Sequence, residues 1–173
     1  MSADAPTVPL IRHAMTSDLP QLGRLGALLV ETHHELDSQR FLASDNRTPA
    51  NYGSFLRTRL EDPDAAILVA EAHGDVIGYA YAAVQGYDYM SLRGPAGVLH
   101  DLIVEPEHRN RGVGQLLLNA VLAYLTTRGA PRVVLLAAER NQAAQRLFAS
   151  MGFRRTMVEM TRELEEATRT RRP

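Results

Sequence analysis

Cysteine and lysine are both missing from this 173-residue chain, whose nineteen basic residues are all arginine. Without cysteine there is no disulfide, no thiolate nucleophile and no thiolate metal ligand, so any acyl transfer must proceed without a cysteinyl intermediate. Without lysine there is no Schiff base and no P-loop ammonium. An excess of either charge is lacking too: the net charge is −1 and the arginines are scattered, which removes the basic footprint of a nucleic-acid binder. No apolar run approaches the ~18 residues of a membrane span, so no membrane partner is expected. Met1 to Pro9 has neither the basic start nor the apolar stretch of a secretory signal, so a cytoplasmic location is expected.

The residues that are present suit one soluble domain. A hydrophobic content of 45% with 23% charged residues is ordinary for a globular protein, and the length supports a single core. Residues 9–165 are expected to form that domain, with 1–8 a flexible N-terminus and 166–173 a flexible basic tail.

Strand and helix patterns alternate along the chain. Val8 to His13 reads as a strand, and Thr16-Ser17-Asp18 as the start of a helix from Leu19 to Thr32, with Leu22, Leu25, Leu28 and Leu29 on one face. A polar loop to Pro49 and a shorter helix, Ala50 to Leu60, follow. Ala65 to Ala70 and Val76 to Val84 form an antiparallel hairpin turned at Gly74. After a loop to Gly97, the strand Val98 to Val104 is broken by Pro106 and leads into an amphipathic helix from Gly112 to Arg128. Val133 to Ala138 reads as a strand, Asn141 to Met151 as a helix stopped at Gly152, and Arg154 to Leu164 as a last strand. This order implies an α/β chain with a mixed sheet covered by helices on both faces.

The turn Arg109-Asn110-Arg111-Gly112-Val113-Gly114 lies where a strand ends and a helix begins. Amides at a helix start have no partner of their own, and the helix dipole draws an anion to them. Gly112 and Gly114 let the backbone turn and an anion approach it, and Arg109 and Arg111 add positive charge. Taken alone, the same pattern reads equally well as an exposed turn opening a helix.

Val98-Leu-His-Asp-Leu-Ile-Val104, the Arg109 to Gly114 turn, and Asn141-x-x-Ala144-x-x-Leu147-Phe148-x-x-x-Gly152-Phe153 together resemble the GNAT superfamily of N-acetyltransferases. The likeness spans Val98 to Phe153, and more loosely Ile11 to Asp18 and Val76 to Tyr79. It implies the acyl-coenzyme A N-acyltransferase fold, with a mostly antiparallel twisted sheet. It also implies transfer of acetyl from acetyl coenzyme A to an amine by direct attack, with no metal and no covalent enzyme species. The turn Arg109, Asn110, Arg111, Gly112, Val113 and Gly114 would hold the pyrophosphate. Main-chain groups of Leu102, Ile103 and Val104 would pair with the pantetheine arm, which Asn141 would also approach. Asn141 is equally a good helix cap.

An amine attacks only when neutral, so a base is useful at pH 7. His100 is the candidate, on the strand expected to carry the acetyl group, where relatives often have Glu; it also reads as a satisfied polar residue on a sheet surface. Strand alternation puts Asp101 on the opposite face. Glu71 is a second candidate base, better read as a solvated carboxylate at the hairpin. Phe148 departs from the family pattern, which often has Tyr there as the acid for the departing thiolate; Tyr79, Tyr81, Tyr87 or Tyr89 would have to supply a hydroxyl instead.

The resemblance implies that the acceptor, a small-molecule amine or a protein or peptide amine, enters opposite the cofactor, between the first two helices and the loop before the central strand, here Glu31 to Phe41 and Gln85 to Gly94. Glu31 and Glu35 there attract a cation or simply form a solvated helix face, and Tyr81, Tyr87 and Tyr89 offer aromatic walls. A homodimer pairing through Thr156 to Leu164 is expected. A coenzyme A sensor without turnover is the other function kept open, and Phe148 is its motive.

Overall fold

The computed structural model describes residues 8–164; the flexible ends expected at 1–8 and 166–173 lie outside them, Val8 apart. Strand β1 (Leu10–His13) passes through a short 3-10 turn, Thr16–Asp18, into α1 (Leu19–Leu36), and α2 (Thr48–Leu60) follows. Then come the hairpin strands β2 (Ala65–Ala72) and β3 (Asp75–Gln85), strand β4 (Ala96–Val104), helix α3 (Val113–Thr127), β5 (Val133–Leu135) and α4 (Gln142–Ser150).

The five strands lie in chain order, each junction antiparallel except β4 with β5, which is parallel. Parallel neighbours need a crossover, and α3 is that crossover. The alternation of β2 and β3 divides the apolar side chains between two faces. Leu68, Ala80, Ala82 and Leu99 face α3, where Leu117, Leu118, Val121 and Leu125 close one core that also takes Phe148 of α4. Ile67, Val69, Tyr79, Tyr81 and Ile103 face the other way, against Leu22 and Leu25 of α1 and Leu56 of α2.

Several boundaries shift by a residue or two, and three expectations change more. Helix α1 continues to Leu36, its last turn held by His33, whose Nδ1 lies 2.8 Å from the Leu29 carbonyl and whose ring meets Phe41 edge-on. Strand β5 stops at Leu135, and Leu136 is exposed. The last strand does not form: residues 154–164 have no regular structure and all are exposed. A strand needs a partner ladder, and three residues of β5 offer little of one. The segment is tied instead by ion pairs, Arg155 with Glu139 at 2.6 Å and Arg40 with Glu159. No helix among the described residues is long and apolar enough to cross a membrane.

Candidate active site

The site begins with an extra residue in β4. Leu99 pairs with Ala82 and Asp101 with Tyr81, so His100 has no partner of its own and forms a β-bulge. Plain alternation would send His100 and Asp101 to opposite faces. The bulge turns both toward α1 and α2: His100 stacks on Tyr81 at 4.7 Å between ring centroids, and Asp101 receives the Tyr79 hydroxyl, both tyrosines belonging to that core.

His100 is exposed to solvent, with one ring face covered by Tyr81. Desolvation lowers its pKa below the usual imidazole value; Asp101 opposes the shift and Arg59 adds to it. The ring is therefore neutral at pH 7. Its Nε2 lies 3.4 Å from Gln85 Nε2, and Arg93 donates to Gln85 Oε1 at 3.0 Å. Because arginine only donates, the Gln85 carbonyl faces Arg93 and its amide faces His100, which makes Nε2 the unprotonated nitrogen. A 3.4 Å contact is weak and readily displaced.

Asp101 is 8% exposed, and alternation alone does not mark it as part of the site. Tyr52 of α2 and Tyr79 of β3 both donate to its Oδ2, at 2.8 and 2.9 Å. Burial raises the Asp101 pKa, while the two hydroxyls hold it down in part. Both tyrosines are in turn pushed well above the ordinary phenol range by burial and by the carboxylate charge. Tyr52, Phe55 and Tyr81 then continue edge-to-face toward His100. No motif marks this group, because its members lie 22 and 49 residues from Asp101 along the chain.

On the other edge of β4 a gap opens. Strand β5 accompanies β4 only from Gly97 to Leu99, so among the described residues the stretch to Val104 has no strand on that side. The amide of Glu105 donates to Ile77, and antiparallel alternation from there points the main-chain groups of Ile103 into β3 and those of Leu102 and Val104 into the gap. Arg109 Nε donates to the Val104 carbonyl at 2.9 Å and folds the following turn against the end of β4. Asn110 and Gly112 adopt left-handed φ of 59° and 81°, and no side chain caps α3. The first helical bond runs from Leu116 to Gly112, which leaves the amides of Val113, Gly114 and Gln115 without helical partners.

A family model described as the acetyltransferase (GNAT) family matches residues 30–153. The chain belongs to that family. A mycothiol acetyltransferase of Thermobispora bispora is 34% identical over 138 residues, 72% of this chain, but the chain spans only 45% of that relative's length. An uncharacterized N-acetyltransferase of Archaeoglobus fulgidus is 29% identical, covering 84% of this chain and 92% of its own. Among solved structures, a GCN5-related N-acetyltransferase of Ralstonia eutropha has a TM-score of 0.67 at 27% identity, covering 90% of this chain and 98% of that one. A mutant of a Bacillus halodurans protein reaches 0.78 at 20% identity, over 90% and 99%.

Within this GNAT domain the other candidate residues separate clearly. Tyr81 joins His100, but Tyr87 and Tyr89 stack on each other, exposed, in the β3–β4 loop. Glu31 and Glu35 are exposed on α1; Glu35 borders a shallow cleft with His34, Asp37 and Arg140. Arg140 brings positive charge to that cleft, so it is no simple cation trap. Glu71 pairs with Arg12 at 2.7 Å, which gives it a structural partner. Asn141 accepts from the Ala144 amide at 3.1 Å and so caps α4. Phe148 is buried against Phe153 on the α3 face. Of the tyrosines proposed to replace it, Tyr79 already donates its proton to Asp101.

Proposed function

We propose that this GNAT domain transfers an acetyl group from acetyl coenzyme A to a primary amine by direct attack, in the cytoplasm and without a metal. The observation that carries the reading is the gap beside β4, which opens at the bulge and ends at the uncapped start of α3. Acetyl coenzyme A supplies a thioester whose acyl carbon accepts an amine nitrogen. The chain's residues fit it: a Cβ at Gly112 would meet nothing within 4 Å, so the turn is open there, and the amides that follow have no helical or side-chain partner. Arg111, exposed, and the free part of the Arg109 guanidinium add charge around Asn110, Gly112, Val113 and Gly114. Leu102 and Val104 offer main-chain hydrogen bonds to the pantetheine arm, with Ile103 between them fixed to β3, and Asn141 lies at the start of α4.

His100 takes the amine's proton, since its desolvated ring is neutral at pH 7 and its Nε2 carries the lone pair. Water protonates the departing thiolate, because Phe148 has no proton to give. Glu31, Glu35, Tyr87 and Tyr89 border the approach and Tyr81 lines the site. Mycothiol acetyltransferase being a relative favours a small-molecule amine over a protein amine. The chain acts as a homodimer: Met157, Val158 and Met160 are exposed in a segment that pairs with no strand of its own sheet, and a second copy covers them.

An amine panel with acetyl coenzyme A tests the reading, read out by release of free thiol. Acetylation of at least one primary amine is expected. Saturation at about 100 times the dissociation constant should also stabilise the fold by about 2.7 kcal/mol. Stabilisation without acetylation of any amine would show a coenzyme A sensor instead, and absence of both would sink the cofactor site.

A further inference from the structure

Two acidic side chains are buried among the described residues, and they are satisfied differently. Asp18 accepts two bonds from the Arg12 guanidinium, at 2.7 and 3.0 Å, and a third from the Met15 amide. Asp101 has no cation paired with it among the described residues. Its Oδ2 takes both the Tyr52 and the Tyr79 hydroxyl, and its Oδ1 takes no hydrogen bond from any described residue. Nor is Oδ1 sealed in: among the described residues, Gln21 Oε1 is the single side-chain polar atom both fully buried and unpartnered.

A carboxylate removed from water costs several kcal/mol unless an opposite charge accompanies it. Two neutral hydroxyls offset that only in part. Among the described residues, the groups facing Asp101 are His33 from α1, Tyr52 from α2, Tyr79 from β3 and His100 on its own strand, and no arginine pairs with it. Tyr52 and Tyr79 converge on one oxygen from two elements, which fixes the carboxyl plane and leaves the other oxygen free. Beside it the stacked Tyr81 and His100 form an aromatic wall suited to alkyl carbons next to a cation.

We propose that Asp101 is the seat of the acceptor's ammonium group, its free Oδ1 pairing with a primary alkylammonium while Tyr52 and Tyr79 hold the carboxylate in place. The proposal rests on the amine-acetylating reading above and narrows it to aliphatic amines, which are cationic at pH 7; aryl amines are neutral there and gain nothing from the seat. One ammonium proton passes to His100, the neutral nitrogen bonds to the thioester carbon as the C–S bond breaks, and the second nitrogen proton passes through water to the departing thiolate, so that a neutral amide and free coenzyme A thiol remain. The ion pair is then gone, and the product has no charge to hold it on Asp101.

Binding of n-butylammonium to the coenzyme A-saturated protein, followed by calorimetry, tests the seat, with aniline as the neutral comparison. Asp101→Asn should weaken n-butylammonium about tenfold or more, while coenzyme A binding stays unchanged. Tyr52→Phe and Tyr79→Phe each remove a donor that favours the ionised carboxylate, so the acid-side midpoint of n-butylammonium binding should move to higher pH. Equal affinity in wild type and Asp101→Asn, no binding to wild type, or an unmoved midpoint in both tyrosine variants would overturn the seat. Binding that depends on Asp101 in a protein that acetylates nothing would leave the seat standing and remove the transfer reading. Transfer that Asp101→Asn leaves intact, with unchanged affinity, would do the reverse.

Discussion

At the scale of single residues, the surroundings shift two acids and a histidine in different directions: Arg12 lowers Asp18 against its burial, while burial raises Asp101 and lowers His100. The Arg12 bonds hold the Asp18 pKa below its usual value. A carboxylate depressed in the folded state stabilises the fold above the unfolded pKa, and that stability is lost as pH falls through the folded one. Asp18→Asn should therefore cost about 2 kcal/mol at pH 7, with the deficit shrinking on acidification; denaturant titration at several pH values checks it, and a pH-independent deficit would contradict it. Asp101 is raised, so its charge costs stability above that pKa, and Asp101→Asn should leave the neutral-pH melting temperature unchanged or higher. For His100, the acid limb of kcat/KM should fall below the ordinary imidazole pKa of 6.5. His100→Gln should remove that limb and lower kcat by about 10²–10⁴-fold. An unaltered profile would take His100 out of the base role.

At the scale of elements, α1 and α2 aim the site. A Cβ on Gly26 would lie 2.1 Å from the Tyr52 ring, so glycine in α1 is what lets that ring lie against the helix with its hydroxyl on Asp101. Gly26→Ala should cost about 1–3 kcal/mol in thermal unfolding through overpacking. It should also move the pH dependence of amine binding as Tyr52→Phe does; a stability loss alone would detach the helix pair from the site. The bulge in β4 is an element-scale feature too. Alternation counts residues and cannot show that one is extra, so the sequence sends Asp101 to the wrong face. Residues 154–164 illustrate the same limit. They carry a strand-like composition, but whether a strand forms depends on a partner edge, and β5 ends at Leu135.

For the whole molecule, the exposed apolar side chains of that segment bear on assembly. Light scattering should give about twice the chain mass for the wild type, and Val158→Asp with Met160→Asp should give a monomer. A monomeric wild type would refute the dimer. On the proposed reading the cofactor side is a turn contiguous in sequence, whereas the acceptor side draws on α1, α2, β3 and β4 and has no contiguous signature.

The sequence by itself determined the order of elements as far as α4, the crossover helix between β4 and β5, and the place of the Arg109 to Gly114 turn. Those depend on local periodicity, on capping and on glycine, which act within a few residues. Only the tertiary structure decided that His100 and Asp101 share a face, that Tyr52 and Tyr79 meet on one carboxylate oxygen, and that the final segment stays out of the sheet. Each of these depends on which distant side chain or strand arrives as a partner, and burial then sets the charge state of the groups brought together.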